Sequence, residues 1–167
     1  MSSNENDIRD LIDRLLTEIA SKSSIDRKKF PVGPFSPNGI YYFDNGEWKL
    51  LRRDGLPFQP GENGDGIYVV YFDNTQCSAC RRFDPEWYSF VEEYKDRGKF
   101  YIILCDWFAR ECDSKAASRT FFINEVRASP TTMIFLVKEG AIVKNERIEG
   151  SVKKEELASK FKSFISS

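Results

Sequence analysis

The chain has 167 residues, 41% of them hydrophobic and 31% charged, enough apolar surface for one core with an appendage and too much for wholesale disorder. It carries 9 Lys+Arg against 11 Asp+Glu before Gly66 and 16 against 15 from there on, so neither half has the basic excess that grips nucleic acid or an anionic membrane. There is no histidine, which excludes Ser-His-Asp and Cys-His nucleophiles and His-ligated zinc and leaves the chemistry to cysteine, carboxylate, lysine or tyrosine.

The first residues show neither a basic segment nor an apolar leader, and no apolar run reaches the length of a membrane span. A cytoplasmic protein is expected, with neither membrane nor nucleic acid as partner. Ile8, Leu11, Ile12, Leu15, Leu16 and Ile19 recur at helical spacing. They predict an amphipathic helix at about 5–21, with Ser2-x-x-Glu5 as a capping box and the apolar face docked on the core. Ser21 to Pro37 reads as a polar connection. Ile40–Phe43 and Trp48–Leu51 flank Asn45-Gly46, the dipeptide a tight hairpin turn needs. Arg52 to Gly66 is rich in glycine and proline and predicts an irregular loop.

From Ile67 the pattern turns regular. Ile67–Phe72 is a nearly continuous apolar run, as in a strand covered on both faces. A helix follows from about Cys77 to Arg97, burying Phe83, Trp87, Phe90, Val91 and Tyr94, with Pro85 inside it. Phe100–Cys105 is a second buried strand, and a helix is predicted near Ser114–Val126. Met133–Val137 and Ala141–Arg147 read as an antiparallel pair, and Val152–Ile165 as a closing helix begun by Ser151. This order makes an α/β sandwich.

Of the four cysteines, Cys77 and Cys80 form a C-x-x-C where a strand hands over to a helix. At a helix N-terminus the unpaired N–H groups and the macrodipole favour a thiolate on Cys77. Two intervening residues let Cys80 attack a mixed disulfide formed on Cys77, and Arg81 adds positive charge. The same C-x-x-C is also half of a zinc site. Cys105 ends the second strand and Cys112 follows seven positions later, either as a local disulfide or as two packed thiols.

The buried strand, the C-x-x-C, Pro85 five residues after Cys80, and Ala128-Ser129-Pro130-Thr131-Thr132 followed by a hairpin, Gly150 and a last helix together resemble the thioredoxin family. The resemblance implies a thioredoxin-like three-layer sandwich over residues 67–167, with residues 1–66 as an N-terminal extension of helix, hairpin and loop packed on the core. It further implies Cys77 as nucleophile, Cys80 as resolving thiol, and a cis Ser129-Pro130 peptide facing them, whose backbone pairs with substrate. The sequence departs from the family where a tryptophan usually precedes the first cysteine, here Gln76, and where Gly-Pro separates the two, here Ser78-Ala79. The buried acid that serves the resolving thiol would fall at Tyr71, and the lysine that often pairs with it has no counterpart in Tyr101–Leu104. Asp73, on the same strand face as Tyr71, either substitutes for that acid or caps the strand end in solvent.

The function expected is a cytoplasmic thiol-disulfide oxidoreductase that reduces protein disulfides through Cys77 and Cys80. It needs no metal or organic cofactor and is recharged by an electron-donating reductase. The alternatives are a non-catalytic interaction module on the same scaffold and a four-cysteine zinc module, the latter weakened by spacing that lacks the zinc-knuckle pattern. Glutathione as substrate is disfavoured, because no Gly-Gly with acidic followers lies beyond Pro130.

Overall fold

A computed structural model describes residues 2–167, apart from the side chains of 2, 3 and 22–28. The chain divides into two compact units, one ending at Pro31 and one spanning Val32–Ser167. The first unit is the helix α1 (Ser2–Lys29), longer at both ends than the 5–21 predicted. The expected polar connection from Ser21 to Pro37 is therefore helical for its first half. Nothing between Ser21 and Lys29 breaks a helix, and the constraint Pro31 places on Phe30 ends it. The predicted cap at Ser2 falls on a side chain outside the described set. Ile8, Leu11, Ile12, Leu15, Leu16 and Ile19 are each 48–64% exposed. No helix among the described residues is long and apolar enough to cross a membrane.

The second unit contains β1 (Gly39–Asp44), β2 (Glu47–Arg52), β3 (Gly66–Asn74), α2 (Ser78–Tyr94), β4 (Lys99–Cys105), α3 (Lys115–Ile123), β5 (Thr131–Lys138), β6 (Ala141–Glu149) and α4 (Lys154–Ile165). The strands form one sheet in the order β2-β1-β4-β3-β5-β6. β3 and β4 run parallel, and the other neighbouring pairs run antiparallel. The Asn45-Gly46 turn closes the β1–β2 hairpin with both residues at positive φ, as a two-residue hairpin loop requires. That hairpin pairs β1 with β4 and extends the central sheet, so the expected boundary at Gly66 falls inside one continuous sheet.

Alternation along β3 builds the layers. Val69 and Tyr71 face a core with Phe83, Trp87 and Phe90 of α2 and Leu157, Phe161 and Phe164 of α4. Tyr68, Val70 and Phe72 face a second core with Ala116, Ala117 and Phe121 of α3 and Phe58 of the glycine-rich loop. Burying each such aromatic contributes about 1.5–3 kcal/mol, so both sheet faces are strongly held. The closing helix begins at Lys154 rather than after Ser151. Lys153 caps it without a side-chain bond, and Glu86 of α2 accepts the Lys154 N–H at 2.8 Å instead.

Candidate active site

β3 and β4 are parallel neighbours, so their C-terminal ends bring Asp73, Asn74 and Cys105 to one edge of the sheet. Cys77 lies just beyond that edge as the N-cap of α2, and its Sγ accepts the Cys80 N–H at 3.1 Å. That bond gives an acceptor to one of the first-turn N–H groups that have no partner within the helix. Cys77 is 6% exposed and Cys80 fully buried, and both are free thiols. Cys77 is thus the more accessible of the two, in keeping with their spacing. Burial pushes the Cys80 thiol above its ordinary range, and the charge of Asp73 adds to the effect.

The loop before β5 covers this pair. Its Ser129-Pro130 peptide is cis. The Ser129 carbonyl accepts the Cys77 thiol at 3.6 Å, and the Ser129 Oγ lies 3.2 Å from Cys77 Sγ and 3.0 Å from Cys80 Sγ. Pro130 continues into β5 through its carbonyl, which accepts the Gly150 N–H at 2.7 Å. Gln76 contributes through its backbone, donating to the Asp106 carbonyl at 3.2 Å, while its side chain is exposed.

Asp73 is completely buried, which removes the alternative of a solvent-facing strand cap. Its Oδ1 accepts Arg81 Nη2 at 2.5 Å. Arg81 Nε also reaches Asp84 Oδ2 at 3.0 Å, and the Tyr71 hydroxyl donates to Asp84 Oδ1 at 2.8 Å. Two buried carboxyls therefore share one guanidinium, and a single positive charge compensates only one of them. Burial, aided by the Asp84 charge and opposed by Arg81, pushes Asp73 up to about 8. Burial also raises Asp84, to about 6, against the pull of Arg81. Burial and mutual repulsion thus disfavour having both carboxyls ionised at once. Asp73 Oδ2 is buried with no hydrogen-bond partner among the described residues, so with Oδ1 engaged by Arg81 it is the oxygen free to exchange a proton.

Cys105 and Cys112 are joined in a disulfide. That disposes of the four-cysteine zinc alternative, because zinc binds thiolates and two of the four sulfurs are bonded to each other. The closed loop turns back on itself, with Asp106 and Trp107 N–H groups both donating to the Glu111 carbonyl at 2.9 and 3.0 Å. Asp106 Oδ1 accepts from Thr75 Oγ1 at 2.7 Å and from Asn38 Nδ2 at 3.0 Å, bracing the turn before Cys77. Beside it lies an open apolar groove lined by Trp107, Phe122, Ile123 and Val126.

Sequence reasoning brought Cys77, Cys80, Ser129, Pro130, Asp73, Gln76 and Arg81 to this site, and the structure gathers all seven. It missed Asn74, Asp84 and Asp106. Asp84 had a legible signal: it stands between Phe83 and Trp87 on the apolar stripe of α2, where a carboxylate needs a buried partner. Asn74 and Asp106 sit at strand ends, where polar residues are unremarkable, and only the tertiary contacts single them out.

The sequence profile of the thioredoxin family matches residues 61–163. No curated protein sequence matches the chain. Among solved structures, chloroplastic thioredoxin z superposes with a TM-score of 0.52 at 16% identity, over 71% of this chain and 98% of that one. Thioredoxin from Aeropyrum pernix does so with a TM-score of 0.52 at 16% identity, over 78% and 97%. The Trx4 domain of ERdj5 gives 0.51 at 16% identity, over 68% and 96%. A parallel β3–β4 pair with a dithiol at the following helix N-terminus defines the class of fold and site. The chain belongs to the thioredoxin family.

Proposed function

We propose that this protein is a thiol-disulfide oxidoreductase that reduces protein disulfides through Cys77 and Cys80. The observation that carries the reading is the Cys77 sulfur as N-cap acceptor of α2, one turn from a buried thiol that has a buried carboxyl for a neighbour. The Cys77 thiolate attacks one sulfur of the substrate disulfide, and the other sulfur leaves as a thiolate that takes a proton from solvent. Cys80 gives its proton to Asp73 Oδ2 and attacks the Cys77 sulfur, leaving a Cys77-Cys80 disulfide and expelling the second substrate sulfur as a thiolate that takes a proton from solvent. Two electrons pass to the substrate, and an electron-donating reductase returns them. Asp73 is the base, held by Arg81, and Tyr71 with Asp84 keeps Arg81 in place. An extended substrate segment pairs with the Ser129 backbone by β-addition. The exchange itself calls for no organic cofactor or metal. The proposal places the reaction in the cytoplasm.

Equilibrating the Cys77-Cys80 pair against a glutathione series tests the direction. A potential near about -270 mV supports a reductase, and one near about -120 to -180 mV replaces that reading with an oxidase or isomerase. A folded, reduced protein that leaves insulin disulfides intact would turn the reading toward a non-catalytic module.

A further inference from the structure

The Ser129 side chain, as distinct from its backbone, touches both reacting sulfurs, and its orientation is determined by a neighbour. Asn74 is completely buried, and its Oδ1 accepts the Phe108 N–H at 2.8 Å. That bond fixes the amide so that Nδ2 donates to Ser129 Oγ at 2.9 Å. With an N–H pointed at its oxygen, the Ser129 hydroxyl directs its own proton elsewhere. The acceptors it touches are Cys77 Sγ at 3.2 Å and Cys80 Sγ at 3.0 Å.

We propose that the Ser129 hydroxyl is a catalytic residue of the dithiol exchange, a hydrogen-bond donor passed from Cys77 to Cys80 as the negative charge moves between them, with Asn74 as its positioning residue. The proposal rests on the oxidoreductase reading above. In the reduced protein the hydroxyl donates to the Cys77 thiolate while the Cys80 thiol donates to Ser129 Oγ, so both oxygen lone pairs and all three protons are used. Once Cys77 is bonded to a substrate sulfur it carries no charge and accepts weakly. The hydroxyl then turns to Cys80 as that thiol ionises, stabilising the second nucleophile from the same position. In the Cys77-Cys80 disulfide neither sulfur is anionic and the donor gains little. Hydrogen bonds to charged groups are about twice as strong as neutral ones, so the hydroxyl favours the reduced thiolate over the disulfide. It therefore raises the potential of the pair and enlarges the thiolate fraction of Cys77.

The test compares Ser129→Ala, the hydroxyl-bearing Ser129→Thr and its isostere without the hydroxyl, Ser129→Val. The Cys77 thiolate is titrated by its ultraviolet absorbance, with Cys77→Ser subtracted, and circular dichroism reports the fold. For Ser129→Ala and Ser129→Val the thiolate fraction at a pH below the transition should fall about tenfold, and Ser129→Thr should restore most of it. Above the transition, where the thiolate dominates the reduced pair, the same tenfold loss acts on the thiol-disulfide equilibrium and corresponds to about 30 mV, so at that pH the two variants should become more reducing by about that amount. Ala and Val variants that titrate like the native protein, or a Thr variant that behaves like Ala, would overturn the proposal. The thiolate titration needs no turnover. A native protein that forms no Cys77-Cys80 disulfide in the glutathione series would count against the oxidoreductase reading alone.

Discussion

Replacing Asp73 by Asn removes the buried carboxyl while keeping its size, and the structure predicts opposite consequences for stability and for catalysis. The unfolded carboxyl titrates near 3.8, and in the folded protein burial lifts it to about 8. Between those values the native state keeps a proton that the unfolded chain has released, so Asp73 stabilises most below pH 3.8 and that contribution is lost as pH rises to about 8. At about 1.4 kcal/mol per pH unit the full loss has a ceiling of about 6 kcal/mol. The shared Arg81 and relaxation of the site reduce what is realised to a fraction of that ceiling. Urea unfolding of the reduced protein and of Asp73→Asn, between about pH 4 and about pH 9, measures it. The variant should gain steadily on the native protein as pH rises and then level off. A stability difference that stays constant across that range would refute the reasoning. A variant that loses ground as pH rises would do so more strongly, because it would mean that Asp73 is an ordinary ionised partner of Arg81. In single-turnover kinetics the release of the mixed disulfide should quicken as pH rises through about 8 in the native protein. In Asp73→Asn it should be slower by about 10²-fold, with the first attack by Cys77 unchanged.

Cys80→Ser should trap mixed disulfides between Cys77 and protein substrates, whereas Cys77→Ser should trap none; mass spectrometry after mixing with an oxidised substrate distinguishes them. Arg81→Met leaves two buried carboxyls without their shared cation and should cost about 3–5 kcal/mol near neutral pH, with recovery in acid, where both carboxyls are protonated. Removing the Cys105-Cys112 bond by the double Ala variant opens a short loop and should cost about 2–3 kcal/mol in a urea titration. Deleting residues 1–31 should leave a cooperative unfolding transition and full dithiol activity, because the sheet and both cores lie within Val32–Ser167; an activity lost from a folded fragment would place part of the site in α1.

What the sequence displayed and what it concealed follow from the range of the interactions involved. The Asn-Gly hairpin and the strand-to-helix placement of Cys77 were legible because turn geometry and helix capping act between residues a few positions apart. The extension of α1 to Lys29 was obscured by polar residues that look like a loop but carry no backbone obstacle to a helix. The incorporation of the hairpin into the central sheet depends on β1 meeting β4, some sixty residues away, and nothing local records that pairing. The acid of the site shows the same principle at closer range. At the family position stands Tyr71, which reads as a lost carboxylate if positions are compared one by one. In three dimensions β3 carries Tyr71 and Asp73 on one face, and the buried carboxyl of Asp73 lies two residues further along it, toward the strand end. Its cation is Arg81 of α2, and the strand Tyr101–Leu104 has no lysine to offer. Tyr71 itself packs its ring on Phe83 and Trp87 and donates its hydroxyl to Asp84. A buried carboxyl needs a partner more than it needs a fixed address, and a comparison made position by position does not display the Asp73–Arg81 pair, whose members are eight residues apart on two different elements.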